Sequence, residues 1–156
     1  MWGNVVIIDC LNSSASQEAL RNKEEDKLVL NWEERRWMRG SFTTERGRKI
    51  GIALPTGTTV VPGSILYVGP DWFLKIEAAV ESVLEIVPSN CAEAVKIAFE
   101  VGNRHFPLAL RENKILVPDD KPMVRLLERL GVPWERRQTI FDPIANTQLH
   151  QHESIS

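Results

Sequence analysis

The stretch Val80-Glu81-Ser82-Val83-Leu84-Glu85-Ile86-Val87-Pro88-Ser89-Asn90-Cys91-Ala92-Glu93-Ala94-Val95-Lys96-Ile97-Ala98-Phe99-Glu100-Val101-Gly102 changes its hydrophobic period halfway along. Residues 80–87 mix alternation with apolar character, as a half-buried strand does. Asn90 then caps a helix, with Glu93 placed three residues on to reach back in a capping box. Ala94, Val95, Ala98, Phe99 and Val101 recur at helical spacing, and Gly102 is a natural residue to close the helix at its C′ position. Beyond it, residues 106–111 and 114–117 read as short strands joined by a tight Glu112-Asn113 turn. Asp119 or Asp120 precedes a second helix with Pro122 in its first turn. Met123, Leu126, Leu127 and Leu130 form the apolar stripe of that helix, Gly131 ends it, and residues 134–141 supply a last strand. The order is β-α-β-β-α-β, the split βαβ or ferredoxin-like arrangement, over residues 79–143.

Upstream, residues 1–78 read differently. Strand-like runs fall at 5–10, 27–32, 39–44, 49–54, 58–61, 65–68 and 72–76, punctuated by Glu45-Arg46-Gly47, Pro55-Thr56-Gly57, Pro62-Gly63 and Gly69-Pro70. Residues 11–26 read as a polar loop, and no convincing helix shows. Short strands with Gly/Pro turns predict an all-β sandwich or barrel-like domain. The whole is therefore α+β, an N-terminal β domain followed by a ferredoxin-like one. After Asp142-Pro143 the chain turns polar and aperiodic, and residues 144–156 are expected to form a flexible tail.

The 156 residues carry 19 Lys plus Arg against 21 Asp plus Glu, a formal charge of −2. That disfavours a polyanion as the main partner. The apolar runs are too short to span a bilayer, and the N-terminus lacks the features of a signal peptide, so the expected location is the cytoplasm. Cys10 and Cys91 are too few and too far apart for a disulfide framework or a Cys-x-x-Cys metal site, and burial is expected for both. No Gly-rich phosphate loop, nucleophile elbow or His-Glu-x-x-His appears, so an enzyme is not expected. An RNA- or ribosome-associated module is the alternative, since small β domains and βαββαβ domains both occur in RNA binders. The strands at 106–111 and 114–117 lack the aromatic and basic residues such sheets use for stacking.

The three histidines are His105, His150 and His152. His105 follows the end of the first long helix, where an imidazolium would suit the helix dipole. His150-Gln151-His152 places two imidazoles at i and i+2, a spacing able to close on nickel, copper or zinc. Trp32, Trp37, Trp72 and Trp134 read as core or interface anchors. Glu33 and Glu34 read as a solvated acidic face, and Arg35, Arg36, Arg39, Arg46 and Arg48 as a local basic surface.

Gly102-Asn103-Arg104-His105-Phe106-Pro107-Leu108 resembles the Gly-Asn-Arg-His-x-Pro-Leu signature of the urease accessory protein UreE family. Trp32-Glu33-Glu34-Arg35, Gly51-Ile52-Ala53-Leu54-Pro55-Thr56-Gly57 and Leu126-Leu127-Glu128-Arg129-Leu130-Gly131 are similar to further segments of that family, in the same order. The resemblance implies a homodimeric nickel metallochaperone whose first domain docks the urease complex and whose second binds metal and dimerises. It implies Ni²⁺ held at the dimer interface by His105 of each subunit, with Zn²⁺ or Cu²⁺ able to occupy the same site. The tail histidines His150 and His152 then add ligands, and the ion passes to a partner GTPase and the urease apoprotein. Many members carry histidine in the turn before the second helix, where this chain has Asp119 and Lys121. A carboxylate is the less nickel-favouring ligand there. The tail is too poor in histidine for nickel storage.

Overall fold

The computed structural model describes residues 5–10, 16–58 and 60–144. The chain divides into two compact units, Met1–Ala79 and Val80–Ser156. In the first, β1 (Val6–Ile8) is followed by α1 (Gln17–Leu20), β2 (Glu24–Leu30), α2 (Trp32–Arg36), β3 (Arg39–Thr43), β4 (Lys49–Ala53), β5 (Ile65–Val68) and β6 (Trp72–Ala78). These strands make two three-stranded sheets, β1-β4-β3 and β2-β6-β5. Each joins one parallel pair (β1 with β4, β2 with β6) to one antiparallel pair. Alternate residues of both sheets, among them Leu28, Leu30, Ile50, Ile52, Leu66, Leu74 and Ile76, enter one buried cluster. The unit is therefore a small β-sandwich.

Three local readings are corrected in this unit. Residues 11–26 do not form a continuous loop, since they include α1 and the first residues of β2, which are drawn into the sheet by parallel pairing of Glu24 with Trp72. Residues 31–36 hold a helix. Asn31 accepts from the Glu34 N–H at 2.8 Å, and the Glu34 carboxylate accepts from the Asn31 N–H at 3.0 Å. Glu34 is thus half of a capping box rather than only a solvated charge. The helix has five residues, too few for apolar periodicity to register. Residues 58, 60 and 61 are not in a strand; Val60 is buried from a loop and Val61 is exposed.

The expected basic surface is also mostly tied up. Arg35 is buried and donates to the Leu30 carbonyl at 2.9 Å. Arg48 donates to Asp26 at 2.8 Å and to Glu24 at 3.0 Å, and lies 4.4 Å over the Trp72 ring. Asp26 is buried and also accepts from the Thr44 hydroxyl at 2.6 Å and the N–H groups of Lys27 and Arg46. Burial alone would raise its pKa, but these donors outweigh that cost and hold the carboxyl below its usual range.

The second unit runs β7 (Val80–Ile86), α3 (Cys91–Asn103), β8 (Ala109–Arg111), β9 (Lys114–Pro118), α4 (Lys121–Leu130) and β10 (Glu135–Ile140). Its sheet has the order β10-β7-β9-β8 with every neighbour antiparallel. β9 therefore lies between β7 and β8, which run parallel, and this is the split βαβ arrangement. The hairpin turns at Glu112, whose φ is 55°, between the paired Arg111 and Lys114. Leu84, Ile86, Ile115 and Val117 from the sheet meet Ile97 and Val101 of α3 and Met123, Leu126 and Leu127 of α4 in one core.

Candidate metal-binding site at the end of α3

α3 starts as its sequence dictates, with Asn90 accepting from the Glu93 N–H at 2.8 Å. The return bond of the expected capping box is displaced by one residue, because Glu93 accepts from the N–H of Ser89 at 3.3 Å. The other end departs further. Gly102 does not close the helix, which continues to Asn103 with Arg104 as its C-cap. The N–H of Phe106 donates to the Val101 carbonyl at 3.2 Å, and that of His105 to the Gly102 carbonyl at 2.9 Å. This pair of bonds is a Schellman motif with His105 at C′. Its φ is 59°, the left-handed region that glycine usually fills. α4 ends with the same pair, Val132 to Leu127 at 3.2 Å and Gly131 to Glu128 at 3.1 Å, around a glycine at φ 67°.

The turn leaves the His105 side chain exposed, while Phe106 packs on the core that buries Val101. Arg104 is anchored backwards, its guanidinium donating to the Glu100 carboxylate at 2.6 Å and the Glu100 carbonyl at 3.0 Å. His105 is thus an accessible imidazole on a fixed backbone. His150 and His152 lie outside the described residues. Among the described residues, no three His, Cys, Asp or Glu side chains gather in a group able to hold a metal ion.

Asp119 is committed elsewhere. Its carboxylate accepts from Arg136 at 2.6 and 3.3 Å and from the Ser82 hydroxyl at 2.6 Å. The Arg136 guanidinium, then the Ser82 hydroxyl, hold it below the usual carboxylate range. Asp120 caps α4, accepting from the Met123 N–H at 2.8 Å, and the Lys121 side chain is exposed.

The apolar residues of α3 do not share one face. Ile97 and Val101 point into the core, whereas Val95 and Phe99 are 64% and 66% exposed. Positions two apart on a helix are turned by roughly 200°, so Phe99 and Val101 of the expected stripe cannot face the same way. That rotation was the signal that one wide stripe in the sequence is two faces. Cys91, four residues before Val95, is exposed as well, as is Cys10, against the expected burial of both.

Comparison with known proteins agrees with both halves of the chain. Residues 7–79 match the family described as UreE urease accessory protein, N-terminal domain, and residues 81–155 match its C-terminal domain. The urease accessory protein UreE of Deinococcus radiodurans is 36% identical over 115 residues, 74% of either chain. That of Lysinibacillus sphaericus is 29% identical over 150 residues, covering 95% of this chain and 100% of the relative. That of Cupriavidus necator is 31% identical over 119 residues, 76% of this chain and 62% of the relative's length.

Proposed function

Since the chain belongs to the urease accessory protein UreE family across both of its domains, we propose that it carries Ni²⁺ for assembly of the urease metal centre, taking the ion between the His105 side chains of two copies. The family makes it a urease accessory protein and not itself an enzyme.

The observation that carries the nickel reading is the placement of His105. An imidazole sits at a left-handed position where glycine is the cheaper residue, with its side chain in solvent and its backbone fixed by two hydrogen bonds. Asn22 and Glu112 also have positive φ, so backbone strain alone does not mark the site; at His105 it coincides with an exposed imidazole able to ligate a metal. One imidazole binds a divalent ion weakly, but a two-fold axis supplies a second without further sequence. The exposed Val95 and Phe99 give the same helix an apolar face with which to meet its copy. His150 and His152 add ligands from a short tether, at high effective concentration. A site of imidazoles without thiolates also accepts Zn²⁺ or Cu²⁺, and suits a carrier that must release its ion.

In this reading residues 79–143 bind metal and dimerise, residues 144–156 supply the tail ligands, and residues 1–78 dock the urease complex. The ion passes to the accessory GTPase and the urease apoprotein in the cytoplasm. Among the described residues no helix is long and apolar enough to cross a membrane.

Native mass spectrometry of the metal-free protein titrated with Ni²⁺, beside the His105→Ala variant, tests the proposal. One tightly held nickel per dimer, lost in the variant, is the expected result. Binding that survives in the variant moves the site to the tail, and no binding by the wild type removes the carrier reading.

A further inference from the structure

An open groove of about 450 Å³ in the second unit is lined by Arg104, Phe106, Pro122, Arg125, Leu126 and Arg129. Half-buried Phe106 and exposed Pro122 give the hollow its accessible apolar surface above buried Leu126, while three guanidinium groups line the same hollow. Their partners differ. Arg104 is held by Glu100, Arg136 by Asp119, Arg137 by Glu85 and Glu135, and Arg111 by Thr139 and the Ile140 carbonyl. Of the six arginines in this unit, only Arg125 and Arg129 make no ion pair or hydrogen bond among the described residues. They stand one turn apart on the exposed side of α4, a like-charge arrangement that costs the isolated helix a few tenths of a kcal/mol. Glu128 is also exposed, and with Asp119, Asp120 and Lys121 it lines a neighbouring hollow that Arg125 shares. The chain as a whole is net acidic, so this local cationic excess is not a consequence of composition.

We propose that the groove docks an acidic segment of a partner protein, with carboxylates on Arg125 and Arg129 and one apolar side chain seated on Phe106 and Pro122. Guanidinium groups match carboxylates in a two-pronged geometry, and arginine is among the residues that dominate protein interfaces. The apolar surface gives an anchor that a bare polyanion would leave empty. The inference does not depend on nickel, because no groove residue is an imidazole or a thiol.

The test uses the full metal-free chain and a fluorescein-labelled synthetic peptide, Glu-Asp-Leu-Glu-Glu-Phe-Glu, followed by anisotropy and by amide chemical shifts. Saturable binding is expected, with shifts centred on Phe106, Arg125, Leu126 and Arg129. It should weaken by about tenfold or more in the Arg125→Glu, Arg129→Glu double variant, and as salt rises from about 0.05 to about 0.3 M. Both substitutions are on exposed positions, and Arg125→Gln with Arg129→Gln gives a second variant without charge reversal. Nickel uptake by both variants should equal that of the wild type, which separates this groove from the His105 site. The proposal is overturned if the double variant binds as tightly, or if a peptide with glutamine for each acid binds equally well. It is also overturned if a uridine-rich RNA displaces the peptide and binds more tightly. Shifts at Arg125 and Arg129 that grow with protein concentration without peptide, and that persist in the Phe99→Glu variant, would make the occupant a second copy, and would overturn it too.

Discussion

The backbone N–H of Phe106 donates to the carbonyl of Val101, five residues back, at 3.2 Å. That bond closes the end of α3 and forces the residue before Phe106, His105, to a φ of 59°. Gly131 occupies the equivalent place at the end of α4, at φ 67°. Two helices of one small unit thus end in the same motif, one with the residue that fits it and one with a histidine. For an L residue the left-handed conformation costs about 1 kcal/mol, and the chain retains that cost at the one histidine among its described residues.

His105→Gly should therefore stabilise the protein by up to about 1 kcal/mol while abolishing nickel binding, and Gly131→Ala should destabilise it by about 1 kcal/mol. Urea unfolding midpoints for the two variants, read beside nickel titrations, check both. A less stable His105→Gly protein would mean that the imidazole makes structural contacts and that strain is not the price of the site.

Asp119→Ala should leave nickel stoichiometry and affinity unchanged, because the carboxylate is already spent on Arg136 and Ser82. Its cost is structural, about 1 kcal/mol, kept small because the Arg136 side chain is 54% exposed. A clear loss of nickel affinity would restore Asp119 as a ligand.

The second unit was legible because its hydrophobic period changes from two in β7 to 3.6 in α3 and shows a clear stripe in α4, with caps or turn residues between. The strand β10, Glu135–Ile140, has no such alternation and was placed by the glycine that ends α4. α2 was not, because a five-residue helix between strands offers a capping box and no stripe. The end of α3 was misplaced for an instructive reason. Gly102 offers the easy left-handed residue, but closing there would put polar Asn103 where the motif wants an apolar contact. Closing at His105 puts Phe106 there, against the core that holds Val101, as Gly131 puts Val132 against the same cluster. Packing of the following residue outweighed the backbone preference of glycine. The proposed role of His105 rests, in the sequence, only on its Gly-Asn-Arg-His-x-Pro-Leu neighbourhood.

Acid should weaken the first unit through Asp26. Its folded-state pKa is depressed, so the stabilisation is present above the ordinary aspartate range near 4 and is lost as pH falls through the lower folded value. Asp26→Asn should cost about 2 kcal/mol or more at neutral pH, since it removes the charge opposite Arg48 and puts an NH2 donor where one of the two oxygens now accepts, Oδ2 from Thr44 and Arg48 or Oδ1 from two N–H groups. Urea unfolding from pH 7 down to about 3 should show a decline in the wild type that the variant largely lacks. Parallel curves for the two proteins would exclude Asp26 as the source.

On the proposed two-fold arrangement, Val95→Glu and Phe99→Glu should each shift the protein from dimer to monomer and lower nickel affinity, without loss of fold. Both side chains are mostly in solvent, so a carboxylate there costs the isolated unit little. In a two-fold interface the same substitution appears twice, and each new charge either loses its water or faces its copy. Sedimentation velocity on the metal-free variants reads the association state, and circular dichroism the fold. If nickel needs a histidine from each copy, affinity should recover in part at high protein concentration, where mass action restores the pair. A dimer untouched by both substitutions would place the interface on another face, and His105 would then have to find its second imidazole there or in the tail.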